Sequence, residues 1–329
     1  MPALLASLKS QSAPLETLQR ALTSGRVHHA YLFEGENGVG KELAAFGLAQ
    51  ALECERRAQG AWESCSACSA CERVLPKGGV SRHPDVVVLE RGLYEPAQIG
   101  RKNPETAELS IDQVRTLVLA RAAFPPHEGR AKVFIVRRAE ELSISAANAL
   151  LKTLEEPGAR THFVLMTTQP DALLPTILSR TLRVHFGSLS DSTVVDILNA
   201  HRVEGDIAKI AALAEGSASR ALALANPEDR AERDAFLARA TKAVESADAM
   251  LGLELAEEAK KEKDVLVPRL TELARHYADE AKARAGASDV RASRAAARSR
   301  LAMTAIGELE QNGAAQLVVE SMILKMRSA

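Results

Sequence analysis

The stretch HAYLFEGENGVGKELAAFGLAQALEC, residues 29–54, decides the fold. An apolar run at 29–35 leads into a glycine-rich loop, and LAAFGLAQALEC at 43–54 continues with its apolar residues at helical spacing. Strand, glycine loop and helix form the setting in which GxxxxGK followed by Ser or Thr wraps the phosphates of a nucleotide. Loop amides and the positive end of the helix face the anion, the lysine reaches the β- and γ-phosphates, and the hydroxyl ligates Mg²⁺. Gly35, Gly38, Gly40 and Lys41 occupy the loop here, and Glu42 stands where the hydroxyl belongs.

Outward from this unit, strand and helix signals alternate. DVVVLE at 85–90, the opening of KVFIVRRAEEL at 132–142, and HFVLMTT at 162–168 are short apolar runs of buried-strand type. Between them, SIDQVRTLVLARAAF at 110–124 has a helix-start signal at Ser110, and SAANALLKTLEE at 145–156 is amphipathic and stops at Pro157. Upstream, ETLQRALTSGR at 16–26 predicts a short helix closed by Gly25. This alternation predicts a parallel sheet covered on both faces by helices.

After Phe186 the strand signal ends. LSDSTVVDILNAHR, DIAKIAALAEG and SASRALALAN predict three short helices within 188–226; the polar stretch ANPEDRAERD at 225–234 predicts a linker; and 227–329 is rich in Ala, Leu and charge with helical period. The fold class is therefore α/β followed by all-α, with domains at 1–187, 188–226 and 227–329.

The 329 residues suffice for two or three domains, and 46% hydrophobic content suffices for their cores. With 42 basic and 43 acidic residues the net charge is −1, so no whole-chain field draws it to nucleic acid or to an anionic membrane. Aromatic residues make up 3%, too few for a platform that stacks single-stranded bases. The opening MPALLASLKSQSAP lacks the features of a signal peptide, and no apolar run spans a bilayer. The expectation is a cytoplasmic protein with no membrane partner.

All four cysteines, Cys54, Cys65, Cys68 and Cys71, fall within 54–71 with spacing C-x₁₀-C-x₂-C-x₂-C. Two C-x₂-C steps let a tight turn aim successive thiolates at one metal, so the set predicts a structural zinc site with no open coordination position. A redox C-x₂-C pair and unbound thiols are the alternatives.

Four segments, in this order, resemble a known family: RVHHAYLFEGENGVGKELAAFGLAQAL at 26–52, the four-cysteine insertion followed by HPDVVVL at 83–89, AANALLKTLEEP at 146–157, and LPTILSRTLRV at 174–184. The chain resembles the δ′ subunits of the bacterial DNA polymerase III clamp loader. The resemblance implies an AAA+ core, a small helical lid and a C-terminal helical collar that holds subunits in a hetero-oligomeric ring. The partners it implies are the δ and γ or τ subunits and, through them, the sliding clamp and primer–template DNA.

It also shows where this chain departs from an active nucleotide site. Mg²⁺ is held in such sites by the loop hydroxyl and by acids ending a neighbouring strand. Here the loop offers Glu42, and the strand VFIV runs into Arg137 and Arg138, with Glu140 the first carboxylate. Glu42 either repels phosphate and metal or turns outward as an ordinary acid in the first turn of a helix. The expectation is no Mg²⁺, no ATP hydrolysis, and weak or no ATP or ADP binding at Gly35, Gly38, Gly40 and Lys41.

In Ser179-Arg180-Thr181 the arginine matches the family's SRC motif, with Thr181 in place of cysteine. The resemblance implies that Arg180 acts in trans as an arginine finger on a neighbour's ATP. Thr168 matches a sensor position, for which a structural role is expected, and Arg220 matches the lid sensor arginine. From 282 to 300, Lys282, Arg284, Arg291, Arg294, Arg298 and Arg300 stand against Asp289 alone. Without interleaved aromatics the stretch fits a subunit contact better than DNA. Two other readings compete with this one. An ATP-hydrolysing motor subunit calls for Lys-Ser or Lys-Thr and a strand ending in acids, and a zinc-containing DNA-binding adaptor calls for a basic domain, whereas 227–329 holds 17 basic and 18 acidic residues.

Overall fold

The run Ala30–Glu34 forms strand β1, buried at every residue, as an apolar run between two parallel neighbours must be. It lies within a five-stranded sheet with β2 (Val86–Leu89), β3 (Lys132–Val136), β4 (Thr161–Thr167) and β5 (Leu182–His185). The order is β2-β3-β4-β1-β5 and all pairings are parallel. The computed structural model describes residues 3–101, 108–128, 130–246, 248–261, 263–284, 290–310 and 313–329, which divide into two compact units, Met1–Ala223 and Leu224–Ala329.

Period-two alternation along the strands sends side chains into two cores. Tyr31, Phe33, Val133, Ile135 and Val164 pack on one face with Phe46 and Leu48 of the helix Lys41–Glu53. Leu32, Phe134, Val136, Phe163 and Leu165 pack on the other with Leu150 and Leu154 of the helix Ile144–Glu155. The phosphate-loop helix and the helix of the AANALLKTLEEP segment therefore cover opposite faces.

Some boundaries differ from the sequence expectation. The first long helix begins at Ser12 rather than 16, because Pro14 sits in its first turn, where the missing N–H removes no hydrogen bond; Gly25 closes it at φ 68°. Ser110 caps the next helix by accepting from the Gln113 N–H at 3.3 Å, and the helix then widens into i→i+5 turns over Val114–Leu119. Strand β5 carries no sequence signal because only Val184 is buried in it. The expected linker at 225–234 is a correction: a helix runs over Pro227–Glu245, with proline at its first position, where a helix accepts it.

The three expected lid helices are Asp191–Ala200, Ile207–Leu213 and Ala218–Ala225, the first two capped by Ser190 and Asp206. The second unit holds helices Pro227–Glu245, Ala249–Lys261, Lys263–Ala283, Val290–Glu310 and Ala315–Ser328 around Phe236, Leu255, Leu270, Tyr277, Ile306, Val319 and Met322. Among the described residues, no helix is long and apolar enough to cross a membrane.

Candidate functional site

The glycine loop sits at the carboxyl end of β1. Gly38 has φ 77°, and a Cβ there would overlap the hydroxyls of Ser217 and Ser219 and come within 2.7 Å of the Ser219 backbone nitrogen. The Ala218 N–H donates to the Gly38 carbonyl at 3.0 Å, so the amino end of a lid helix is seated on the loop. The buried Gln11 ties the loop to the start of the lid segment, donating to the carbonyls of Val39 (3.1 Å) and Gly187 (2.6 Å) and accepting from the Gly187 N–H (3.2 Å). Gly38→Ala is expected to lower stability by about 2 kcal/mol, since strain at a positive φ adds to displacement of the lid; urea unfolding is the measurement.

A cavity of about 870 Å³ opens beside the loop, lined by residues 37–43, Arg137, Arg138, Glu140, Thr168 and lid residues including Ile197, His201 and Leu222. This volume suits a nucleotide-sized ligand. Lys41 is buried, and its Nζ donates to the carbonyls of Gly35 and Glu36, the latter at 2.7 Å. Burial pushes its pKa down.

The two departures from the metal-binding pattern meet in one interaction. Arg137 pairs through Nη2 with Glu42 and through Nη1 with Glu90 at 2.6 Å; its side chain is 12% exposed and its guanidinium lies 5.8 Å from the Phe46 ring centre. Arg138 pairs with Glu90 at 3.2 Å and Glu141 at 3.1 Å. Glu42 thus neither points freely outward nor stands unopposed, and Arg137 is no solvated loop residue. A guanidinium gathers the carboxylates at the place where an active site gathers oxygens around Mg²⁺. Removing it in Arg137→Ala leaves Glu42 and Glu90 without that counter-charge, with an expected loss of about 2 kcal/mol in urea unfolding.

The remaining sequence candidates have definite places. Thr168 directly follows β4 and donates through Oγ1 to Glu140 Oε1 at 3.0 Å. Arg220 pairs with Glu215 at 2.7 Å within the lid. Arg180 follows the short helix Pro175–Leu178; its Nη1 donates to the Thr176 carbonyl at 2.9 Å and to Ser179 Oγ at 3.1 Å, and its Nη2 pairs with Glu155 at 2.5 Å. Of the basic stretch, Arg298 lies over the Tyr277 ring at 5.4 Å and donates to the Met326 carbonyl at 3.1 Å, a packing role at the end of the last helix. Asp289 lies outside the described residues.

The four cysteines converge, with their Sγ atoms all within 4.8 Å of one another. Cys54 follows the phosphate-loop helix, and Cys68 caps the helix Ser69–Val74, which carries Cys71. Two sulfurs accept backbone N–H groups, Cys54 from Cys65 at 3.2 Å and Cys68 from Cys71 at 3.5 Å. The N–H of Ala67 holds the Cys65 thiol down at about 6, whereas burial raises that of Cys71. Four clustered sulfurs with amide donors match the donor set of a tetrahedral zinc thiolate site.

Sequence reasoning passed over a second cluster. Glu53, His83 and Asp85 are all buried with ligating atoms within 4.8 Å of one another, and HPDVVVL was its only visible trace. Asp85 accepts the backbone N–H groups of His127 (2.7 Å) and Glu128 (2.8 Å), and His83 Nδ1 accepts the Asp85 N–H at 3.3 Å. Burial, then the charges of Asp85 and Glu128, push the Glu53 carboxyl up to about 8 from 4.5. The folded chain therefore binds more protons than the unfolded one between those values, and this contribution to stability falls as pH rises from 4.5 to 8. Glu53→Gln is expected to flatten that slope and to raise stability at pH 8 by about 1 kcal/mol or more, read from denaturation across pH.

A parallel sheet of this order, with a glycine loop after β1 and a three-helix lid, defines the AAA+ class of nucleotide-binding fold. A DNA polymerase III gamma subunit-related protein of Thermotoga maritima shares it, with TM-score 0.56, 18% identity, and coverage of 95% of this chain and 98% of that one. The family profile described as DNA polymerase III, delta subunit matches residues 10–190. The δ′ subunit of Bacillus subtilis DNA polymerase III is 32% identical over 222 residues, 68% of this chain and 61% of that protein. The δ′ subunit of Pseudomonas aeruginosa is 42% identical over 169 residues, 49% of this chain and 45% of that protein. The tau subunit of Escherichia coli is 35% identical over 230 residues, which make up 68% of this chain and 32% of the tau protein, so the match spans about a third of tau. The chain belongs to the δ′ family of DNA polymerase III clamp-loader subunits.

Proposed function

We propose that this chain is a non-hydrolysing stator of a clamp loader, a ring subunit that supplies Arg180 in trans to a motor subunit's ATP and helps load a sliding clamp on primed DNA. The observation that carries the reading is the Glu42–Arg137 pair, which joins the two positions an active site uses for Mg²⁺. Lys41 is turned onto the loop's own carbonyls and Gly38 is covered by the lid, which further favours weak or absent ATP or ADP binding. Arg180 is not among the residues that line the cavity beside this loop and keeps an always-charged planar fork, so loss of the home site does not remove it.

The domains of this proposal are a core at 1–187, a lid at 188–226 and a collar at 227–329. Exposed Met250, Met303, Leu317 and Leu324 in the helical unit supply apolar surface for contacts with the δ and γ or τ subunits. Cys54, Cys65, Cys68 and Cys71 would hold one structural zinc, which would supply folding energy to the insertion. A replication role belongs in the cytoplasm.

The discriminating experiment is ATP turnover by the isolated chain with Mg²⁺. No turnover above a buffer blank is expected, and tight Mg²⁺-dependent binding with turnover would instead establish a motor subunit.

A further inference from the structure

The helix Ile144–Glu155 ends on Glu155 and is followed by a second acid, Glu156, at its C-cap, with Lys152 the basic residue of its last turn. Carboxylates at a helix carboxyl end face the negative pole of the backbone dipole, so local preference disfavours Glu155 there. A local rule broken in this way points to a tertiary partner. That partner is Arg180, whose Nη2 lies 2.5 Å from Glu155 Oε1.

The other contacts of Arg180 give this pair its meaning. Its Nη1 donates to the Thr176 carbonyl at 2.9 Å and to Ser179 Oγ at 3.1 Å. The Glu155 carboxylate pairs by charge with the opposite arm, so the guanidinium is contacted from two elements: the turn that carries Arg180 and the end of a helix packed on the sheet. The Nε–H remains without an acceptor among the described residues. Side-chain exposures of 32% for Arg180 and 47% for Glu155 leave the pair open to solvent and to a neighbouring molecule.

Thr181 stabilises the same turn, donating through Oγ1 to the carbonyls of Ile177 at 3.1 Å and Leu178 at 3.3 Å. The backbone under Arg180 is thus held by Thr181, and its charged end by Glu155. A free arginine would have to give up its rotamer freedom at the moment it meets a polyphosphate.

We infer that Glu155 is a positioning residue for Arg180, holding the guanidinium fork in a set orientation so that it can be presented to a nucleotide phosphate on an adjacent subunit. The inference rests on the proposed trans role of Arg180. The pair is solvated and therefore weak and screened by salt, so loss of that pre-orientation slows the step it serves by about fivefold.

The test is a double-mutant cycle in the reconstituted loader, with ATP turnover on primed DNA and the sliding clamp as readout. Glu155→Ala is expected to lower kcat about fivefold with KM for ATP unchanged, and Glu155→Gln, which keeps an acceptor, to lower it less. In an Arg180→Ala background, Glu155→Ala is expected to have no further effect, because the residue acts only through Arg180. Unchanged or raised kcat in Glu155→Ala, or an equal loss in the Arg180→Ala background, overturns the positioning role. A loader that turns over normally with Arg180→Ala overturns the underlying trans role instead, so the two failures are told apart. Far-ultraviolet circular dichroism of each variant, with Glu155→Gln as the shape-conserving control, excludes loss of fold as the cause of any decrease.

Discussion

Arg180→Ala is expected to lower ATP turnover of the reconstituted loader by about a thousandfold if Arg180 acts in trans as proposed, the lower end of what an arginine finger contributes. In phosphoryl transfer the protein acts mainly by positioning and by placing positive charge on oxygens that gain charge in the transition state. Arg180 fits that role because its side chain is one third exposed, its backbone is braced by the short helix Pro175–Leu178, and its charge is permanent. Arg180→Lys keeps the charge but loses the fork and is expected to recover only part of the rate. Assembly of the ring, followed by size-exclusion chromatography, should be unaffected by either change. Turnover within twofold of the unsubstituted loader, with assembly intact, would falsify the trans role.

The second large effect concerns the cysteines. Removing the proposed zinc with a chelator at neutral pH, or replacing the fully buried Cys71 with Ser, is expected to unfold the insertion. Structural zinc supplies about 10 kcal/mol or more of apparent folding energy to small sites, far more than a short segment draws from its own core. The damage should spread beyond the insertion, because Cys54 directly follows the phosphate-loop helix and Gln50 of that helix donates to the Cys71 carbonyl at 3.2 Å. The expected readouts are one zinc per chain by elemental analysis, four thiols that react only after chelation, and a lowered thermal midpoint. A folded, zinc-free chain with four freely titrating thiols would sink the assignment.

Much of the core was legible because buried parallel strands leave unbroken apolar runs. HAYLFEG, DVVVLE, the opening of KVFIVRRAEEL and HFVLMTT each read as strands in isolation, and each holds a strand. Edge strand β5 was not legible, since three of its four residues face solvent and leave no pattern. The linker expected near residue 227 failed for a local reason: proline and charge mark a loop in sequence, yet both suit the first turn of a helix. The cysteine cluster was readable from spacing alone. The Glu53–His83–Asp85 cluster was not, because Glu53 comes from a different segment than the other two and no periodic signal links the segments.

By itself, the sequence determined the class of fold, the ancestry of the phosphate loop, the cysteine set and the two substitutions at the metal positions. These are properties of residue type and short-range order, which local conformational preference and hydrophobic period express directly. Only the tertiary structure decided what the substitutions do to each other. Glu42 and Arg137 are 95 positions apart, and β1 and β3 are separated in the sheet by β4, so no local rule relates the two residues. The fold brings them together, and Coulomb attraction at short range in a partly dry cleft then joins a repelling acid and a repelling base into a single ion pair.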